Sequence, residues 1–267
     1  MEQNKKLVQF SRLSVNRRSF ITTAASVVAA TSLAMNQFFN HANRIKAIAF
    51  DAFPIFDPRP VFSLIESMYP EQGIELSNVW RTKQFEYCWL RTSGKQYKDF
   101  WKVTEDALVY AAKKATVELS NENKKELMNQ YLKLDIWEGV LPVLEGLKKK
   151  DIKLSFVSNM TDEMLTSNIR YSKIENYFDY VISTDKIGSF KPDPKAYQLG
   201  VDILKLKKEE ILFVAFAGWD AVGAKWFGYP TYWVNRLQSL AEEMNIMPDG
   251  VGEDMSDLLN FINHHNN

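Results

Sequence analysis

The chain has 267 residues, 46% hydrophobic and 25% charged, and its 33 basic side chains balance 33 acidic ones. That length suits one domain carrying an insertion, or two small domains, and the charge balance supplies neither a basic face for nucleic acid nor an acidic tail for a basic partner. A single cysteine, Cys88, excludes a disulfide framework or a cysteine zinc site. The three histidines, His41, His264 and His265, lie near the chain ends, which argues against Ser-His-Asp, Cys-His and multi-histidine metal mechanisms. Acid–base chemistry therefore falls to carboxylates or lysine.

Residues 1–43 differ from the rest. Lys5, Lys6, Arg12, Arg17 and Arg18 precede a mildly apolar stretch from Phe20 to Met35. A positive flank before an apolar core is the pattern of a signal peptide. Ser14-Val15-Asn16-Arg17-Arg18-Ser19-Phe20-Ile21 resembles the twin-arginine export signal. The resemblance implies a partner in the twin-arginine export machinery and a periplasmic protein that folds before export. The alternative is a membrane anchor formed by an uncleaved N-terminus, although the stretch is short against the ~20 apolar residues a span needs.

Beyond residue 43, strand and helix patterns alternate. Ile45–Phe50 reads as a strand. Helical patterns follow at Val61–Tyr69, Leu76–Leu90, Phe100–Lys113 and Asn123–Leu132, with no convincing strand among them. Val140–Lys150 is helical, Ile152–Val157 a strand, Asp162–Tyr171 a helix, Tyr180–Ser183 a strand and Pro194–Leu204 a helix. Ile211–Phe216, Ala221–Phe227 and Thr231–Val234 complete the series as strand, helix and strand. This alternation predicts an α/β fold, a Rossmann-like parallel sheet with helices on both faces. The core is expected over 44–57 and 136–267, interrupted by an inserted helical cap over 58–135.

Chemistry-bearing residues recur where strands are expected to end: Asp51, Ser158-Asn159, Lys191 and Asp220. Open α/β sheets bring such positions together at one edge. A nucleophilic Asp, a Ser/Thr, a Lys and a late acidic motif in this order resemble the haloacid dehalogenase superfamily. Phe50-Asp51-Ala52-Phe53, the segment from Trp80 to Arg91, Thr104–Leu108, Lys191-Pro192-Asp193 with Tyr197, and Trp219-Asp220-Ala221 resemble more closely its L-2-haloacid dehalogenases. The resemblance spans nearly all of 45–250.

That resemblance implies a dehalogenase-like core and a small 2-haloacid as substrate. Asp51 attacks the halogen-bearing carbon with inversion, halide leaves, and water then hydrolyses the aspartyl ester to release a 2-hydroxyacid. Lys191 keeps Asp51 charged, and Asp220 serves as base for the water. Ser158 and Asn159 hold the substrate carboxylate, Arg81 receives the halide, and Phe53, Phe100, Tyr197 and Trp219 line the site. Superfamily phosphatases carry a second Asp where Phe53 stands and a further acid where Phe216 stands. A hard cation lacks oxygen ligands at those places, so no cofactor and a metal-independent reaction are expected. Family members are often homodimers, and the long helix from Leu76 is a candidate pairing surface.

Four positions depart from the family pattern. Pro54-Ile55 replace Gly-Thr after the nucleophile, and Ala215 and Ala217 replace a Ser and an Asn before Asp220. Losing polar positioning groups can cost a few kcal/mol at the transition state. Two alternatives to steady dehalogenation follow: a protein that binds a small carboxylate or stalls at the ester, and a hydrolase of the same fold acting on another small acid.

Overall fold

The computed structural model describes residues 44–265; the export signal expected over 1–43 lies outside them. Strand β1 (Ala47–Phe50) is followed by helices α1 (Arg59–Met68), α2 (Gly73–Ser93), α3 (Phe100–Lys114) and α4 (Asn121–Gln130). The chain continues through α5 (Val140–Lys148), β2 (Lys153–Ser158), α6 (Asp162–Tyr171), β3 (Tyr180–Ser183) and α7 (Pro194–Leu204). It ends with β4 (Ile211–Ala215), α8 (Gly218–Phe227), β5 (Thr231–Val234), β6 (Gly250–Gly252) and α9 (Met255–His265). No helix among these residues is long and apolar enough to cross a membrane.

The strands form one parallel sheet in the order β3-β2-β1-β4-β5-β6. Every residue of β1, β4 and β5 is buried, which explains their largely apolar runs: both faces of a parallel sheet are covered. Alternation along β1 separates the two faces. Ile48 and Phe50 pack in one cluster with Leu144 and Leu147 of α5 and Leu258 and Ile262 of α9. Ala47 and Ala49 pack in the other with Tyr197 and Leu204 of α7 and Ala221 and Ala224 of α8. Small alanines on that face admit the large ring of Tyr197.

The sheet order places a switch point at β1. One crossover leads outward through β2 and β3, and the next returns to β4 on the opposite side. Ligand sites of open α/β sheets lie beyond the strand C-termini at such a point. Phe50 is in register with Phe156 on one side and Val214 on the other, so Asp51 stands between the ends of β2 and β4.

Helices α1–α4 form an excursion from this edge. The chain leaves at Phe56 and returns at Ile136 through an antiparallel bridge. Asp57 N donates to Asp135 O at 2.8 Å and Trp137 N to Ile55 O at 3.0 Å. Asp99 caps α3 by accepting from Lys102 N at 2.7 Å, and Ser120 caps α4 by accepting from Asn123 N at 3.1 Å, which satisfies amides left open at helix starts. Gly73 permits α2 to cross α1 closely, since a Cβ there would lie 2.6 Å from Glu66 Cα.

Three expectations are corrected. Helix α8 starts at Gly218, ahead of the expected Ala221, so Asp220 lies in a first helical turn and not at a strand end. Lys191 lies in a loop after the 3-10 turn Thr184–Ile187, again not at a strand end. Strand β6 and helix α9 were not expected. Two of the three residues of β6 are glycines at a sheet edge, which removes any alternating pattern, while Met255, Leu258 and Ile262 on α9 are buried at helical spacing.

Candidate active site

Asp51 follows β1 and is 9% exposed. Its two carboxylate oxygens have different surroundings. Oδ1 accepts from Lys191 Nζ at 2.9 Å and Ser158 Oγ at 3.4 Å, whereas among the described residues Oδ2 accepts only the Phe53 amide at 3.3 Å. Oδ1 is thus anchored by a cation and a hydroxyl, and Oδ2 is the freer oxygen.

Lys191 bridges two acids. Its Nζ also lies 2.6 Å from Asp220 Oδ2, and its ammonium stands 4.9 Å from the centre of the Phe213 ring. Burial alone would depress Lys191, yet Asp220 and Asp51 hold it above its usual range. Burial pushes the Asp220 carboxyl up to about 6, against the pull of Lys191. Tyr197 donates to Asp220 Oδ1 at 2.7 Å. Gly223 makes room for that hydroxyl, because a Cβ there would stand 2.4 Å from it. Burial raises the Tyr197 phenol well above its ordinary value, so it remains a donor at neutral pH.

Asn159 couples this group to the β2 end. Its Oδ1 accepts from the Lys191 amide at 2.9 Å and Thr184 Oγ1 at 3.2 Å. Its Nδ2 is buried with no hydrogen-bond partner among the described residues. A buried unpaired donor is costly unless an acceptor fills the place. Asn159 lines a cavity of about 550 Å³ that also takes in Asp51, Ser158 and Arg81.

Arg81 reaches the cavity from α2. Trp80 Nε1 donates to Thr104 O at 2.8 Å, and Gln84 Nε2 donates to Thr104 Oγ1 at 2.7 Å. These bonds fix α2 against α3 and with it the rows bearing Arg81 and Phe100. The Arg81 guanidinium lies 4.8 Å from the centre of the Phe62 ring, and no carboxylate among the described residues is within ion-pair distance of it. An unpaired cation among aromatic walls suits an anion. Across the cavity, Trp219 packs on Phe85 and Trp89 of α2 at 5.3 and 5.5 Å between ring centres. Among the described residues no group of three or more His, Cys, Asp or Glu side chains is arranged to hold a metal ion.

Residues 81–234 match the family model for haloacid dehalogenase-like hydrolases. The (S)-2-haloacid dehalogenase of Pseudomonas sp. strain YL is 36% identical over 206 residues, covering 77% of this chain and 89% of that enzyme. A second, (S)-2-haloacid dehalogenase 2 of Pseudomonas sp. strain CBS-3, is 35% identical over 82% of this chain and 96% of its own length. The chain belongs to the L-2-haloacid dehalogenase family. The fold agrees. The L-2-haloacid dehalogenase of Xanthobacter autotrophicus with chloropropionic acid covalently bound superposes with a TM-score of 0.77 at 30% identity, over 82% of this chain and 98% of that one.

Against this family pattern, the structure gathers Asp51, Ser158, Asn159, Lys191 and Asp220 at one sheet edge, with Phe53, Arg81, Phe100 and Trp219 on the cavity walls. Tyr197 is a correction. It is fully buried and does not line the cavity; its ring packs among Phe213, Phe227 and Tyr229 while its hydroxyl holds Asp220. Residues given no site role from the sequence also line the cavity, among them Phe62, Phe216, Leu240 and Glu242, together with Phe85 from the segment that carries Arg81. Leu240 and Glu242 lie in a segment without periodicity. Of the four departures, Ile55 and Ala215 are fully buried, and Ala217 faces the cavity.

Proposed function

We propose that the protein hydrolyses a small (S)-2-haloacid to the (R)-2-hydroxyacid and halide through an ester on Asp51. The observation that carries this reading is the unequal setting of the two Asp51 oxygens. Oδ2, the freer one, attacks the α-carbon; the carbon–halogen bond breaks and halide departs with the electron pair toward Arg81. Ser158 and the open Asn159 amide receive the substrate carboxylate.

Esterification at Oδ2 leaves Oδ1 as the ester carbonyl oxygen. Lys191 is already in contact with it, so it stabilises the oxyanion that forms when water attacks the Asp51 carbonyl carbon. Asp220, ionised above about 6, takes the proton of that water. Collapse breaks the carbon–Oδ2 bond, the departing hydroxyacid takes up the proton held by Asp220, and the second proton of the water passes to solvent as the counterpart of the released halide, so that Asp51 returns as a carboxylate. None of these contacts requires the groups missing at Ile55, Ala215 and Ala217, which supports turnover over a stalled ester.

Helices α1–α4 act as the cap that closes this cavity, and residues 1–43 direct the folded enzyme through the twin-arginine route to the periplasm. Exposed Ile74 and Leu90 on α2 favour a homodimer. The deciding experiment is halide release from (S)-2-chloropropionate by the full chain, with intact mass read in parallel. Sustained release, lost in Asp51→Asn, is expected. One halide per chain with a lasting mass gain would identify a stalled enzyme, and neither halide nor adduct would overturn the reading. For export, cell fractionation of the Arg17→Lys/Arg18→Lys double variant should show retention in the cytoplasm.

A further inference from the structure

The segment 235–249, between β5 and β6, has no helix or strand, yet it builds one wall of the active-site cavity through Leu237, Ser239, Leu240 and Glu242. Leu240 is 92% exposed and Leu237 48% exposed, so the cavity mouth presents apolar surface to solvent. Glu242 sits at the start of α8: a Cβ on Gly218 would stand 3.4 Å from its Oε1. It has no cation within ion-pair distance among the described residues.

The proposed reaction accounts for three directions at the substrate α-carbon: Asp51 attacks it, Ser158 and Asn159 take the carboxylate, and Arg81 takes the halide. The remaining substituent of any consequence is the alkyl chain. Phe62, Phe85, Leu237 and Leu240 offer apolar surface to meet it, beside the polar Asn78, Thr82, Gln84 and Ser239. A three-carbon haloacid has few heavy atoms; at roughly 30 Å³ for each water-sized group it fills about a third of the 550 Å³ cavity.

We infer that Leu237 and Leu240 form a chain-binding subsite, that the preferred substrates are 2-haloacids with an extended apolar chain, and that Glu242 turns away chains ending in a second carboxylate. The inference rests on the dehalogenase reading above. Covering apolar surface favours each added methylene by roughly fourfold. A second carboxylate near the unpaired Glu242 charge is disfavoured by about fivefold even in water-like surroundings.

The test compares kcat/KM of the full chain on (S)-2-chloropropionate, (S)-2-chlorohexanoate and (S)-2-chlorosuccinate, with variants Leu237→Ser, Leu240→Ser and Glu242→Gln. The hexanoate is expected to exceed the propionate by at least about tenfold. Each leucine variant should reduce that ratio about fivefold or more, and Glu242→Gln should raise the ratio of succinate to propionate about fivefold. Halide release from the propionate without a chain preference, or with ratios unmoved in both leucine variants, would overturn this inference alone. No halide from any of the three acids would overturn the dehalogenase reading and this inference with it.

Discussion

Tyr197 donates its phenolic proton to Oδ1 of Asp220 at 2.7 Å, from a ring packed wholly inside the protein. That bond favours the ionised form of Asp220. In Tyr197→Phe the ring still packs against Phe213 and Phe227, but the charged form loses a donor and Asp220 rises further. Ester hydrolysis at pH 7 should fall about tenfold, and its acid limb should move to higher pH. A pH profile of ester decay by quenched-flow mass measurement checks this; an unmoved limb would assign Tyr197 to packing alone.

The wild-type protein should show an acid limb near the value set by burial of Asp220. The carboxyl is raised to about 6, so its base form is present above that pH and disappears below it. Ester should accumulate as pH drops through 6. Stability carries the linked sign. The folded state holds this proton more tightly than the unfolded chain, so the group's stabilising contribution is complete below the ordinary carboxylate range and is lost as pH rises through about 6. Comparing urea midpoints of wild type and Asp220→Asn between pH 4 and 7 isolates that contribution.

Lys191→Met should abolish turnover and also weaken the fold. Removing one partner from a buried charged group costs about 3–5 kcal/mol, and here two acids, Asp51 and Asp220, lose their common cation. Denaturant unfolding measures the loss; a midpoint near wild type would show that the three charges are not coupled as the distances imply.

Arg81→Gln should lower kcat/KM by about 10²–10³, the scale for removing a preorganised group from a developing charge. The fold should persist, because Arg81 has no carboxylate partner among the described residues while Trp80 and Gln84 keep their bonds to Thr104. Single-turnover halide release places the loss in the first step; a loss confined to ester decay would contradict the assignment of halide to Arg81.

Ala217→Asn should stabilise the protein by about 1 kcal/mol. Ala217 is the N-cap of α8, with extended backbone and no side-chain cap bond, a place where Asn satisfies an open amide and Ala does not. The thermal midpoint reads the gain; an unchanged or lower midpoint would show that the asparagine turns to the cavity instead.

Much of the fold was legible in local pattern. Asp51 and Ser158 stood out because largely apolar runs ending in a polar residue are what doubly covered parallel strands require. Arg81 was legible from its helix face and its neighbours in a recognisable segment. These are short-range properties, carried by a few consecutive side chains. The order of strands is not. Only the assembled sheet sets β4 beside β1, and from that follow the Lys191 bridge between residues 140 and 29 positions away, the place of Tyr197 behind Asp220, and the cavity wall from Leu237 to Glu242. The sequence by itself determined which residues could do the chemistry and the alternation that makes the sheet. The tertiary structure decided which Asp51 oxygen is held and which is free, because that depends on contacts between segments whose separation along the chain carries no periodic signal.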